Sequence, residues 1–381
     1  MQKFLKGLEN TKPMSLLRRS IFFVLIAAGL TASYEAAAGL AGFNKENPYT
    51  KEERILNLKD IPEKIHNYRA DMRENLLMLI RYAKEQNPDF KIIAHEGQDL
   101  LTKSLWEYDR DGYNRARKQE NAQDDSFLFH DKFKDKEPKR YTPAYEYLHA
   151  VDAVAINNFY CGKGRESNIT KNHRLGLITI EQCENKDDLD TVQINAMIDG
   201  RASFGFTDIE QAFKTIGNHN DINDSAKNIN TVADAQNILI LTDDSLYADK
   251  NKLVADLLQT NYDIIIIKPL FAFHERFSAD DLKRLHFKKN GAKRLLIAEL
   301  NVSEAFPEEY YWSNDWKIGT PDWLVRKSFS SKDGVIVQFW NPVWKKIISD
   351  YFKDIMNEGF DGIFFTGIEN YHYFEQQNPL E

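Results

Sequence analysis

The stretch Gly359-Phe360-Asp361-Gly362-Ile363-Phe364-Phe365-Thr366, near the C-terminus, reads as a helix stop, a tight turn and an apolar strand ending on a hydroxyl. Such a strand has no polar face, so helices must cover it on both sides, as in a parallel sheet. Its polar tip then marks the end at which parallel barrels carry their functional groups. The same grammar recurs upstream. Asp263-Ile264-Ile265-Ile266-Ile267 runs into Lys268-Pro269, and Leu295-Leu296-Ile297-Ala298 runs into Glu299, Asn301 and Glu304. Residues 90–94 lead to His95-Glu96-Gly97, residues 151–156 to Asn157-Asn158, and residues 237–241 to Thr242-Asp243-Asp244. With the run at 335–340 this makes seven predicted strands, and the eighth is sought at 175–182 or 192–198.

Helical patterns separate these strands. Met72, Leu76, Leu79, Ile80 and Ala83 share one face of a predicted helix that ends at Asn87-Pro88. Trp344, Ile347, Ile348, Tyr351, Phe352, Ile355 and Met356 share one face of another, stopped by Gly359. Strand and helix in alternation predict an α/β fold with a parallel sheet. The chain has 381 residues, 42% of them hydrophobic, which is enough for one (β/α)8 TIM-type barrel. Such a barrel takes about 250 residues plus insertions. Residues 39–381 are expected to form it, with an irregular insertion at about 162–236.

The N-terminus stands apart. Arg18-Arg19 precedes an apolar run at 21–32, followed by small residues, which is the pattern of an export signal. The run falls short of the roughly 20 apolar residues of a membrane span. Residues 1–38 are therefore expected to be an export signal or an uncleaved anchor, and the protein to be periplasmic or extracellular. Any membrane contact is expected through that segment alone. The first 32 residues hold five Lys/Arg and one Glu, so without them the net charge moves from −8 to −12. A chain this acidic is not expected to bind nucleic acid and suits a neutral or cationic substrate. Cys161 and Cys183 allow either a disulfide or two buried thiols. No phosphate-binding loop, dinucleotide fingerprint, nucleophile elbow or metal-ligand spacing is visible, and no metal or cofactor is expected.

One segment carries a resemblance. Val302-Ser303-Glu304-Ala305 is followed by Tyr311-Trp312, Trp316, Pro321-Asp322-Trp323-Leu324, Val337-Gln338-Phe339-Trp340 and the closing Gly359–Thr366 stretch. From Leu295 to Tyr373 this order resembles the endo-α-1,4-polygalactosaminidases of glycoside hydrolase family 114. The helix from Met72, the strand reaching Gly97 with Asp99-Leu100, and Val151-Asp152-Ala153-Val154 resemble a further part of the same family, here placed ahead of the first. The resemblance covers about 60–160 and 235–375 and implies a circularly permuted barrel that handles an aminopolysaccharide. It also implies two acidic residues flanking the bond to be cut. In this chain those two positions are Thr366 and Asn157, while Glu309 stands at the family's arginine and Lys268 near its first-strand aspartate.

Other acids stand at strand ends. Glu304, Glu299 and Glu96 are the candidates for a relocated acid/base pair, because burial can set one carboxyl apart from another. The simpler reading makes them rim charges paired with Lys268 or Arg294. Aromatic faces stack on sugar rings, and Tyr311, Trp312 and Trp340 are the candidate groove wall, with Trp323 and Trp344 assigned to the core. His95, Asn157, Asn158, Asp243, Lys268, Gln338 and Thr366 complete the expected binding set. Two functions follow: a glycoside hydrolase-like enzyme with a moved acid pair, or a non-catalytic barrel that binds glycan or an envelope protein. The oligomeric state stays open.

Overall fold

Gly362–Thr366 is a strand hydrogen-bonded on both sides by parallel partners, Lys91–His95 before it in the chain and Leu295–Asn301. In chain order the strands are β1 (Lys91–His95), β2 (Ala153–Asn157), β3 (Gly176–Gln182), β4 (Ala202–Phe206), β5 (Ile238–Leu241), β6 (Ile264–Ile267), β7 (Leu295–Asn301) and β8 (Gly362–Thr366). They form one eight-stranded sheet in the order β4-β3-β2-β1-β8-β7-β6-β5. A single parallel bridge, Ser203 to Asn237, joins β4 to β5 and brings the sheet to a nearly closed barrel. This computed structural model describes residues 66–103, 107, 138–173, 175–217 and 225–377. The expected export segment and most of residues 104–137 lie outside them. No helix among the described residues is long and apolar enough to cross a membrane.

Helices α1 (Tyr68–Gln86), α2 (Pro143–Ala150), α3 (Asn168–His173), α4 (Lys186–Ile198), α5 (Ile209–Ala212), α6 (Lys250–Leu257), α7 (Ala279–Leu285), α8 (Pro342–Glu358) and α9 (Tyr371–Gln376) follow in chain order. The predicted apolar faces are the buried ones, except that Ile347 and Met356 are only partly buried. Met72, Leu76, Leu79, Ile80 and Ala83 of α1 are all buried, as are Trp344, Ile348, Tyr351, Phe352 and Ile355 of α8. Gly359 ends α8 at φ 97°, a left-handed cap that glycine adopts without a Cβ penalty. Inside the barrel the register aligns Ile240 with Ile266 and Ile266 with Ile297, so three strands present one apolar layer.

Three aspartates stand one residue before a strand and pin the neighbouring strand. The Asp152 carboxylate accepts the Ile92 N–H at 2.8 Å, Asp263 accepts Gln236 N–H at 2.8 Å, and Asp361 accepts Leu296 N–H at 2.9 Å. Each also faces a basic side chain, namely Lys84 at 3.3 Å, the buried Lys288, and His286 at 3.2 Å.

Three expectations change in detail. Residues 192–198 are not a strand but the second half of α4. Asn185 caps that helix by accepting Asp188 N–H, Asp187 and Asp188 occupy its first turn, and Leu189, Val192 and Ala196 are buried at helical spacing. The remaining barrel strand is instead β4, where Phe204 and Phe206 pack on Phe213. Residues 162–236 therefore supply β3 and β4 of the barrel wall rather than an irregular insertion. The run at 335–340 leaves the barrel as well: Val335–Val337 pairs antiparallel with Glu304–Ala305 and Leu324–Lys327 in the β7–α8 connection. The two cysteines form a disulfide, Cys161 to Cys183.

The Asp263–Lys288 pair is buried on both sides, whereas Lys84 and Asp152 are about one-third exposed. Removing one partner of a buried pair strands a charge at a cost of about 3–5 kcal/mol, while exposed pairs are worth about 0–1 kcal/mol. Urea unfolding is expected to show Lys288→Met far more destabilised than Lys84→Met; equal losses would contradict the clamp.

Candidate functional site

The C-terminal strand ends bring together residues distant in sequence. His95, at the end of β1, places Nε2 3.0 Å from Asn157 Oδ1 at the end of β2 and stacks on Phe364 of β8 at 5.4 Å. Burial pushes its pKa down, so the ring is neutral near pH 7. The next residue, Glu96, adopts φ 56° and accepts the Asn157 N–H at 2.9 Å. Burial first, and the charge of Glu369 second, push its carboxyl up to about 8. Glu96 is therefore a carboxylic acid, not a carboxylate, at neutral pH.

Across the mouth, Thr366 of β8 donates its hydroxyl to Glu299 of β7 at 2.8 Å. Burial raises the Glu299 pKa, with Lys268 and this hydrogen bond acting against it. Lys268, just past β6, lies with Nζ 3.5 Å from the Phe273 ring centre. Glu309 is pushed up to about 7 by burial, against the pull of Lys268 and the Tyr351 hydroxyl, which lies 3.3 Å away. Thus Glu299 and Glu309 share one lysine.

Glu304 is different. It is 2% exposed and accepts Ser328 Oγ at 2.7 Å, Asn370 Nδ2 at 3.0 Å and Asn301 Nδ2 at 3.4 Å. A Cβ on Gly334 would come 2.9 Å from its Oε2. The carboxylate is enclosed and fully hydrogen-bonded, which ties the β7–α8 connection to the segment after β8.

A chain of charges not foreseen from the sequence lies beside Glu96. Arg69 of α1 forms a two-pronged pair with Glu375 at 2.7 and 3.2 Å. His372 sits 3.3 Å from Glu375 and 3.0 Å from Glu369, and Glu369 accepts the Gly97 N–H at 2.9 Å. Burial opposes the charge on Glu369, but His372, the Gly97 N–H and Arg69 outweigh it and hold its pKa below the usual value. Burial likewise works against His372, but its two carboxylates raise it to about 9. The spacing Glu369-x-x-His372-x-x-Glu375, directly after the last strand, is the signal that could have revealed this group.

The other expected residues scatter more. Asn158 has φ 52° and accepts Gln182 N–H at 2.9 Å, so it shapes a turn. Asp243 accepts Ser245 N–H at 3.0 Å and lies 3.7 Å from Lys214. Tyr311 packs edge-on against Trp344 at 5.8 Å, and Trp312 against Trp316 at 5.4 Å. Trp323 and Trp344 are core at 3% and 1% exposure. Trp340 packs on Tyr68 and Phe374, between α1 and α9 at the rim. Gln338 is half-buried after the short Val335–Val337 strand.

Backbone strain concentrates at this end. Glu96, Asn158, Ala272 and Phe273 are four of the five described non-glycine residues with positive φ, and all follow barrel strands. Left-handed conformations cost about 1–3 kcal/mol each and cluster at functional sites. No group of His, Cys, Asp and Glu among the described residues is arranged to hold a metal ion.

No known family model matches the chain. It is similar to an uncharacterised protein of Methanocaldococcus jannaschii, 24% identical over 219 residues, covering 57% of this chain and 58% of that protein. An uncharacterised protein of Thermotoga maritima is 27% identical over 84 residues, 22% of this chain and 26% of its own. One of Deinococcus radiodurans is 32% identical over 78 residues, 20% and 25% respectively. The chain thus spans between a quarter and three-fifths of these relatives.

Two pH dependences follow. A carboxyl with a raised folded pKa leaves the fold unpenalised below about 4.5 and costs stability as pH climbs through about 8. Melting curves of Glu96→Gln should match wild type near pH 4.5 and lie above it at pH 9; a difference that does not change with pH would contradict this. His372 has the opposite sign. Its stabilisation is complete below about 6.5 and fades as pH passes about 9, so His372→Gln should lose more stability at pH 6 than at pH 10.

Proposed function

We propose that the chain is a carbohydrate-active barrel that handles a cationic aminopolysaccharide at its C-terminal mouth. The supporting observation is that the strand ends hold more carboxyl groups than cations, one of them protonated at neutral pH. Glu96, Glu299, Glu309 and Glu369 stand there, with Lys268 serving Glu299 and Glu309 and with His372 and Arg69 serving Glu369. A neutral carboxyl can protonate a leaving oxygen, and an ionised one can activate water or attack. In this reading Glu96 is the proton donor, with Glu299 across the mouth beside Thr366. Glu304, named with them from the sequence, holds the connection in place. The aminosugar polymer supplies the positive charge that the acidic mouth lacks.

The kinship with polygalactosaminidases belongs to the same proposal, as does the permutation. It rests on the quoted motifs and on α1, which enters the barrel ahead of β1 and packs between α8 and α2. Export through the N-terminal segment is proposed with it.

A second reading, binding without cleavage, is favoured by the enclosure of Glu304 and by the uncharged Asn157 and Thr366 at the family's two acid positions. Reducing-end release from α-1,4-linked galactosaminoglycan separates the two. Cleavage is expected to fall by about a hundredfold or more in Glu96→Gln, in line with general acid catalysis, and to decline in wild type as pH rises through about 8. Retention of the polymer without new reducing ends would establish the binder. Cleavage or retention unchanged in both Glu96→Gln and Glu299→Gln would remove the mouth from the function.

A further inference from the structure

At the opposite end of the barrel, α1, α7 and α8 finish around an open cleft of about 900 Å³. Its lining includes the residues just before β1, β7 and β8, so it belongs to the strand N-termini and is separate from the mouth. Four permanent cations face it: Lys91, Lys283, Lys293 and Arg294. Two carboxylates line it, Asp89 and Asp361. Asp361 is already committed to the Leu296 N–H and to His286. Lys91, Lys283 and Lys293 pair with no carboxylate among the described residues. Arg294 is 2% exposed, and its guanidinium reaches Thr260 and the Phe287 carbonyl but no acid, with Nε unpartnered.

Local duties do not account for this excess. Helix C-termini carry about half a negative charge each and attract basic residues in their last turn. Lys283 lies in the last turn of α7 and fits that role. Lys91 opens β1 and Lys293 precedes β7, so neither belongs to a helix. In the last turns the Ala83 carbonyl of α1 accepts the Asn87 N–H and the Leu282 carbonyl of α7 accepts the His286 N–H. A buried guanidinium whose attracting acid, Asp263, is already held by Lys288, together with lysines that pair with no carboxylate among the described residues, makes a positive concavity in a chain of net charge −8. Low-dielectric walls focus such a field on the cleft.

The walls add shape to charge. Phe287 is 40% exposed on the rim, and Asn87 and Asn357 bring amide groups. Aromatic faces stack on the C–H faces of sugar rings, amides hydrogen-bond hydroxyls, and lysines bind carboxylate or phosphate as point charges. We propose that this cleft binds an acidic saccharide, with its anionic group among Lys91, Lys283 and Lys293 and its ring against Phe287.

Calorimetric titration of the full chain tests this with four probes: trigalacturonate, galactose 1-phosphate, neutral galactotriose and inorganic phosphate. Saturable binding is expected for at least one acidic sugar and not for the neutral one. Carboxylate and phosphate arms identify which anion is preferred. The exposed double change Lys283→Glu with Lys293→Glu should weaken binding tenfold or more. Lys163→Glu with Lys317→Glu, the same charge change elsewhere, should leave it intact. Phe287→Ser should weaken the sugar and spare inorganic phosphate. No saturation by either acidic sugar, equal loss in both double variants, or an acidic sugar that binds no better than phosphate would overturn the proposal. None of these outcomes depends on chemistry at the mouth.

Discussion

The carboxylates that open β2, β6 and β8 are the fixed points of this molecule. A parallel strand carries no hairpin to set its register, and a slip of one residue turns every interior side chain outward. Asp152, Asp263 and Asp361 each accept a backbone N–H from the adjoining strand or its entry, and each is held by a basic side chain, Lys84 of α1 or Lys288 and His286 from the segment after α7. Register fixed at the N-terminal rim is carried along rigid strands to the far rim. There it places Thr366 beside Glu299, and His95 beside Asn157, within hydrogen-bonding distance. Lys288 reaches further, donating also to the carbonyls of Ser225 and Lys227, so the same ammonium anchors the approach to β5.

At the mouth, burial without enough counter-charge changes the chemistry of the acids. A carboxyl removed from water resists ionisation unless a cation or several N–H donors face it. Glu369 has both, through His372 and the Gly97 N–H, and stays charged. Glu96, one residue before that glycine, has a single N–H donor and a charged neighbour, and keeps its proton. Two nearby carboxyls thus end in opposite states because their partners differ, which is the arrangement general acid and base pairs require. The left-handed backbone at Glu96 is part of this arrangement, since it turns the chain at the strand end and presents Gly97 N–H to Glu369.

Much of the barrel was legible because its signals are local. Runs such as 264–267 and 295–300 can be little else than buried strands, and the α8 stripe with Gly359 carries both its face and its stop. β4 was not legible. Its sequence Ala202-Ser203-Phe204-Gly205-Phe206 includes a glycine, and it meets β5 through one bridge. The neighbouring 192–198 looked strand-like from its β-branched residues, yet the Asn185 cap and the Asp187-Asp188 first turn favour a helix. At the site, strand-end residues His95, Glu96, Asn157, Glu299 and Thr366 could be named from position alone. The Arg69–Glu375–His372–Glu369 chain could not, because it joins α1 to α9 across most of the sequence. Glu304 shows the reverse limit. Its place in the family motif suggested chemistry, while its enclosure by Ser328, Asn370 and Gly334 depends on loops no pattern predicts.

The two ends of the barrel have opposite electrostatic characters for one structural reason. Strand N-termini are clamped, so their aspartates are taken up by backbone N–H groups and by Lys84, Lys288 and His286, and the remaining lysines are left in excess. At the strand C-termini Glu96 keeps its proton, Glu369 pairs with His372, and Glu299 and Glu309 share the field of Lys268. Helix polarity places positive N-termini at the mouth and negative C-termini at the opposite end, which favours acids at the first and bases at the second. The lysines of the opposite cleft thus sit where helix ends favour positive charge, and the acids of the mouth where helix starts favour negative charge.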